Sequence, residues 1–192
     1  MVRYPQVRTR SMQVFIYSSM TGRFSVSHEQ SRVYSSYAVA RKTSNEIQVF
    51  FIMTPRGIRN CNPLNIRRSK DQWKGMAEAQ TDRAFVQFKS LEYGWRAAFY
   101  LLTRTYYHKH RLYTIRTIIR HWAPESENNT EAYIANVSKL TGILPDEPLG
   151  IPSVQPSRWI ALGAAMAIQE NGTSSLDYFA MLRGWAMCRT DV

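Results

Sequence analysis

Leucine is absent from the first 52 residues of this 192-residue chain and occurs eleven times after them. Leucine is a staple of globular cores, so a segment of that length without one is a poor candidate for a core of its own. The same 52 residues contain no Trp and no Asp, hold nine Ser, and carry seven basic against two acidic residues. The chain therefore reads as a basic, Ser- and Arg-rich N-terminal extension over residues 1–52 and one domain over residues 53–192. Within the extension, Val14-Phe15-Ile16-Tyr17 and the run from Ile47 to Ile52 have the composition of strands. As a whole the extension is expected to be a flexible arm or, the preferred reading, sequence translated upstream of a start at Met53.

Composition narrows the class of the remainder. Hydrophobic residues at 44%, with five Trp, eleven Tyr and eight Phe, are globular values and point to an aromatic-rich core. The formal charge of +11 is shared between both parts and favours polyanions, whether nucleic acid, anionic lipid or bacterial cell wall, without choosing among them. Two cysteines, Cys61 and Cys188, form neither a disulfide framework nor a CxxC metal pair and read as reduced thiols. No apolar run has signal-peptide or membrane-spanning length. The expectation is a protein made in the cytoplasm that reaches a virion or a cell wall by another route.

After Met53 the punctuation is regular. The stretches 62–67, 73–76 and 84–88 read as extended pieces separated by polar turns, a small β-hairpin region near the start of the domain. From Ser90 the period changes, and Leu91, Trp95, Phe99, Leu102 and Tyr106 form a helical stripe. A second helix is expected from an N-cap at Thr114, with Ile115, Ile118, Ile119 and Trp122 on one face, ending before Pro124. Thr130 is expected to cap a third helix bearing Tyr133, Val137 and Leu140 and stopped by Gly142. Ser157 is expected to cap a fourth, over 158–169, apolar nearly all round and therefore buried. Ser174 with Asp177 starts a fifth, bearing Leu176, Phe179 and Leu182. The fold class is mainly α (α+β), with about five helices.

No Walker loop, dinucleotide fingerprint, GxSxG elbow or HExxH pair occurs. The histidines, among them His108, His110 and His121, read as surface or capping residues, and no metal or cofactor is expected. Carboxylates remain. Glu170 lies at the C-terminal end of the most apolar helix, where the helix dipole and a dry neighbourhood disfavour ionisation, as a general acid requires. Glu127 precedes a helix N-terminus, which favours the ionised form. Two carboxylates pushed in opposite directions suit glycoside cleavage, Glu170 as acid and Glu127 as base or charge stabiliser. The plainer alternative for both is a solvated carboxylate near a helix end. Asn60, Asn62, Asn65 and Asn128 with Trp73 and Tyr133 supply amides and flat rings suited to sugar hydroxyls and apolar sugar faces, whereas Trp95 and Trp122 are expected mostly inside.

The stretch Arg56-Gly57-Ile58-Arg59-Asn60-Cys61-Asn62-Pro63-Leu64-Asn65-Ile66-Arg67 resembles the opening of a family of small phage and prophage proteins, virion-associated and lysozyme-like. The resemblance continues through Trp73-Lys74-Gly75, Asp82, Phe85 to Phe88, Tyr93-Gly94-Trp95-Arg96-Ala97, Trp122-Ala123-Pro124, Glu127-Asn128-Asn129-Thr130 and Tyr133-Ile134. It covers nearly all of 54–172 and none of the first 52 residues. The family pattern has Asn where this chain has Cys61 and Gly where it has Leu64, which argues against a nucleophilic Cys61. Asn62 to Arg67 and the Ser-capped helix after it are similar to the middle of cell-wall glucosaminidases. Glu127 to Val137 is faintly similar to a segment of lytic transglycosylases.

These resemblances imply a circularly permuted lysozyme-like domain with Glu170 as the acid. The function expected is phage-derived cleavage of peptidoglycan glycan strands, with those strands and other virion proteins as partners. The alternative is a non-catalytic virion structural protein. A third reading is nucleic-acid binding through Arg56, Arg59, Arg67, Arg68 and Lys70, although no recognition helix or stacking motif accompanies them.

Overall fold

The computed structural model describes residues 36–42, 47–126 and 129–190. The chain divides into two units, Met1–Thr54 and Pro55–Val192. In the first, β1 (Ser36–Lys42) and β2 (Ile47–Met53) form an antiparallel pair with Ser36 opposite Met53 and Lys42 opposite Ile47. The second strand takes in the apolar run that begins at Ile47, while Val14 to Tyr17 lie outside the described residues.

The second unit is mainly helical, in agreement with the sequence. After a single turn, α1 (Arg56–Arg59), the chain runs extended to Ser90 and pairs with itself through isolated bridges, Arg67 with Phe85 and Met76 with Phe88. The expected hairpin region is therefore present as paired extended segments, and among the described residues of this unit none forms a regular strand. Five longer helices follow: α2 (Leu91–Tyr100), continued by a π-helix (Leu101–Lys109), then α3 (Ile115–Trp122), α4 (Thr130–Thr141), α5 (Pro156–Asn171) and α6 (Tyr178–Thr190). Among the described residues no helix is long and apolar enough to cross a membrane.

Local chemistry accounts for most of the helix ends. Thr114 caps α3 in a capping box with Thr117, and Gly142 and Gly172 end α4 and α5 in the left-handed conformation. Three caps differ from expectation: α6 starts at Tyr178, with Asp177 rather than Ser174 accepting from the Ala180 amide. Asn129, not Thr130, caps α4 by accepting from the Ala132 amide, because the Thr130 hydroxyl is buried and donates instead to the Ala123 carbonyl at 2.6 Å. Helix α5 begins at Pro156, ahead of Ser157, since proline's fixed φ and missing N–H suit the first helical position.

Two clusters of buried side chains lie on opposite sides of α2. Trp95, Phe99 and Leu102 join Ile115, Ile118, Ile119, Ile134, Leu162 and Met166 in the larger, while Ala97 joins Ile66, Val86 and Phe88 in the smaller. Residues Gly94 to Phe99 are all buried, which makes α2 the central helix, and α5 is buried along much of its length as expected. Trp95 and Phe99, one turn apart, stack at 5.5 Å, and Trp185 meets Phe99 edge-on at 5.0 Å.

Of the stripe expected for α6, Leu176 packs partly buried against the larger cluster just ahead of the helix, and the other two members are overturned. Phe179 is 77% exposed and Leu182 49%, and the helix instead buries Ala180, Met181, Gly184 and Cys188. Small residues face inward because α6 lies almost on the backbone of α2: a Cβ at Gly184 would stand 2.4 Å from Trp95 Cβ and 2.8 Å from the Glu92 carbonyl oxygen. Similarly, Leu140 on α4 is exposed and Ile134 takes its place in the core.

Two predictions follow from these contacts. Gly184→Ala forces α6 away from α2 and lowers unfolding free energy by about 1–3 kcal/mol, the usual range for overpacking, as read from urea denaturation. Cys61 holds φ at +51°, a region Asn tolerates better than other side chains. Cys61→Asn should therefore raise stability by up to about 1 kcal/mol, the scale of the left-handed cost, with a higher melting temperature as the readout.

Candidate active site

Glu170 sits in the last turn of α5, partly exposed, and its carboxylate gathers donors from three other segments. Asn65 Nδ2 donates to Oε2 at 3.1 Å, from the turn that follows α1. Trp122 Nε1 donates to Oε1 at 3.0 Å, from the last residue of α3. The Tyr133 hydroxyl donates to the same Oε1 at 3.1 Å, from the first turn of α4. An indole N–H and an amide NH2 are donors only, so both fix the carboxylate without being able to take a proton from it. The tyrosine hydroxyl is the one group of the three that can also accept. Burial, then the Glu170 charge and its hydrogen bond, push the Tyr133 phenol well above its ordinary value, so it stays protonated and donating.

The support beneath this carboxylate is polar and closely packed. Asn171, the next residue, donates from Nδ2 to the Pro63 and Ala167 carbonyls, each at 2.8 Å, tying the end of α5 to the turn after α1. The side-chain oxygens of Asn171 and Asn65 have no hydrogen-bond partner, and both turn toward Gly57, where a Cβ would stand 2.4 Å from the first and 2.9 Å from the second. Only glycine fits there without displacing them. Asn65 itself has φ of +50°, a conformation Asn accepts readily, and that turn aims its amide at Glu170.

The residues expected at a sugar-binding site are distributed unevenly. Asn65 and Tyr133 meet at Glu170. Asn62 is fully buried and uses its whole amide inside the fold, donating to the Ile66 and Val86 carbonyls and accepting from the Ile66 amide. Asn60, 4% exposed, donates to Asp82 at 2.7 Å. Trp73 is half-buried and meets Tyr100 edge-on at 6.1 Å. Glu127 and Asn128 lie outside the described residues. Trp122, placed mostly inside from its sequence context, is half-buried and serves as a donor to Glu170. Its signal in the sequence is its position as the last residue before the Ala123-Pro124 break, where a helix end leaves the side chain free to reach across.

Asp82 organises the opposite flank. Its carboxylate receives the Arg56 guanidinium, the Asn60 amide and the backbone amides of Ala84 and Phe85, and Arg56 also lies over the Phe85 ring at 4.5 Å. Arg68 donates to the Gln80 and Asp82 carbonyl oxygens. Two of the cations considered for nucleic acid are thus engaged within the fold. Among the described residues no group of three or more His, Cys, Asp or Glu side chains is placed to hold a metal ion.

Arg56 above all, then the Asn60 and backbone donors, hold the Asp82 carboxyl well below the usual carboxylate range. Hydrogen bonding from Ser90 and Arg183 lowers Glu92 to about 2. Groups depressed in the folded state stabilise it above their unfolded values, near pH 4, and lose that contribution as pH falls through the folded values. Melting temperature should accordingly be flat above about pH 5 and fall steeply between about pH 4 and pH 2. Asp82→Asn should lower stability at neutral pH and flatten the acid limb, and an unchanged limb would exclude Asp82 as its source.

No family model matches the sequence. Over 133 residues, 68% of this chain and 79% of the relative, the sequence is 40% identical to Protein P5 of Pseudoalteromonas phage PM2.

Proposed function

We propose, for a chain that belongs to the same family as Protein P5 of Pseudoalteromonas phage PM2, that it is a lysozyme-like enzyme that cleaves the glycan strands of peptidoglycan with Glu170 as its acid. The observation that carries this reading is the three-donor clamp on a partly exposed carboxylate. A solvated helix-end glutamate has no need of an indole, a phenol and an amide from three separate segments. A group that must present one oxygen to a substrate does, because orientation is a large part of acid catalysis. Oε2 accepts one hydrogen bond from the protein, which leaves it the freer oxygen for a glycosidic leaving group.

In this mechanism Glu170 protonates the leaving oxygen and Glu127 stabilises the developing positive charge or activates water. In sequence, Glu127 lies five residues after Trp122 and six before Tyr133, the two side chains that bond Oε1 of Glu170. Tyr133 and Trp122 act as positioning residues. No metal or cofactor has a part in these steps.

A second reading has its own observation. Tyr178, Phe179 and Leu182 are exposed together near the start of α6, as expected if this face meets another virion protein. Zymography separates the two. Clearing of embedded peptidoglycan by the wild type should fall at least about a hundredfold in Glu170→Gln, the scale of general-acid catalysis. Clearing that survives the substitution removes Glu170 from the mechanism, and no clearing on any wall type leaves the virion reading.

A further inference from the structure

His110 and His121 are eleven residues apart in sequence, and the fold sets their rings side by side. His110 caps the end of the π-helix, and His121 stands in the last turn of α3. The chain between them turns sharply: Arg111 holds φ at +55°, and the Leu112 amide donates back to the Tyr106 carbonyl at 2.9 Å. As a result the two ring centres are 5.0 Å apart, with planes tilted by 37°. The buried Tyr106 ring backs both, at 4.9 Å from His121 and 6.2 Å from His110. Both histidines are exposed residues, so a solute can reach them.

Neutral imidazole carries one nitrogen lone pair and is the commonest metal ligand among side chains. Among the described residues neither imidazole enters a hydrogen bond or an ion pair, so neither lone pair is committed within the chain. Two imidazoles on one tetrahedral ion, with metal–nitrogen bonds of about 2.0 Å and ring centres roughly 1.2 Å further out, have those centres about 5 Å apart. The observed separation is that of two ligands sharing an ion. Two helix C-terminal ends also meet here, and the partial negative charge of each favours a cation. Among the described residues no third His, Cys, Asp or Glu completes the set. Two nitrogen donors without a carboxylate select zinc, nickel or copper over calcium and magnesium, which need several oxygens.

We propose that His110 and His121 together bind one divalent first-row ion, of which zinc is the test case, with water in its remaining positions. The ion joins the end of the π-helix to the end of α3. It stabilises the fold as any ligand of the native state does, because the unfolded chain does not hold the two rings together. His121 is the neighbour of Trp122, so the ion holds the same helix end that carries the indole to Glu170. The site makes no use of the acid itself and stands apart from the muralytic reading.

The test uses zinc ion alone and the full chain in metal-free buffer. Calorimetric titration should give one ion per chain. His110→Ala and His121→Ala should each weaken binding at least about tenfold, a loss that even outer-shell changes cause at metal sites. His108→Ala should bind as the parent does, since that ring packs on Tyr107 instead. Zinc at about ten times its dissociation constant should raise the parent's melting temperature by about 3 °C or more, reversibly with EDTA, whereas calcium or magnesium should not. His110→Gln and His121→Gln keep a polar side chain, and should melt with the parent in the absence of metal yet lose the zinc-dependent rise. Absence of zinc binding by the parent, unchanged binding by either alanine variant, or one ion per two chains overturns the proposal.

Discussion

The carboxylate of Glu170 and the amide of Asn171 make the end of α5 the place where the second unit is joined together. Between them they bond the turn after α1, the end of α3, the start of α4 and the last turn of α5 itself. A partly buried charge is costly unless its lone pairs are met, and here three donors meet them. That requirement links segments more than a hundred residues apart in sequence, since Asn65 and Glu170 are 105 positions apart. Gly57 belongs to the same arrangement, because any side chain there would displace the two asparagines that hold the end of the helix.

Beneath this junction, packing is governed by a helix whose middle is covered on both sides. Helix α2 is buried through its middle and separates a large aromatic and aliphatic cluster from a small one. Burying both sides requires close neighbours, which explains the small residues of α6 and leaves its larger ones, Phe179 and Leu182, outside. Past Tyr100 the same helix widens into π geometry and keeps Leu102, Thr103 and Tyr106 buried.

Much of the fold was legible in the sequence. The switch to helical spacing at Ser90, the Thr114 cap, the Gly142 and Gly172 ends and the mainly helical class follow from local chemistry, in which a side chain's own conformational preference decides the outcome. The misplaced caps and stripes have a common cause. Thr130 was drawn away from capping by the Ala123 carbonyl, and the α6 stripe by the nearness of α2, and both are effects of neighbours remote in sequence. At the candidate site, the position of Glu170 at the end of an apolar helix was visible, whereas the fate of the asparagines was not. Asn60, Asn62 and Asn65 are alike in sequence, and only the turn geometry sends one to Asp82, one into the backbone and one to Glu170.

By itself, then, the sequence determined the helical content of the chain, the change of composition near Met53, the excess of positive charge and one carboxylate at the end of one helix. Each depends on residue type and on spacing along the chain. Tertiary structure decided which groups surround that carboxylate, which helix is central and which apolar residues remain outside. Those depend on the distances between segments that only packing brings together, and a hydrogen bond or an ion pair exists only within a few ångströms.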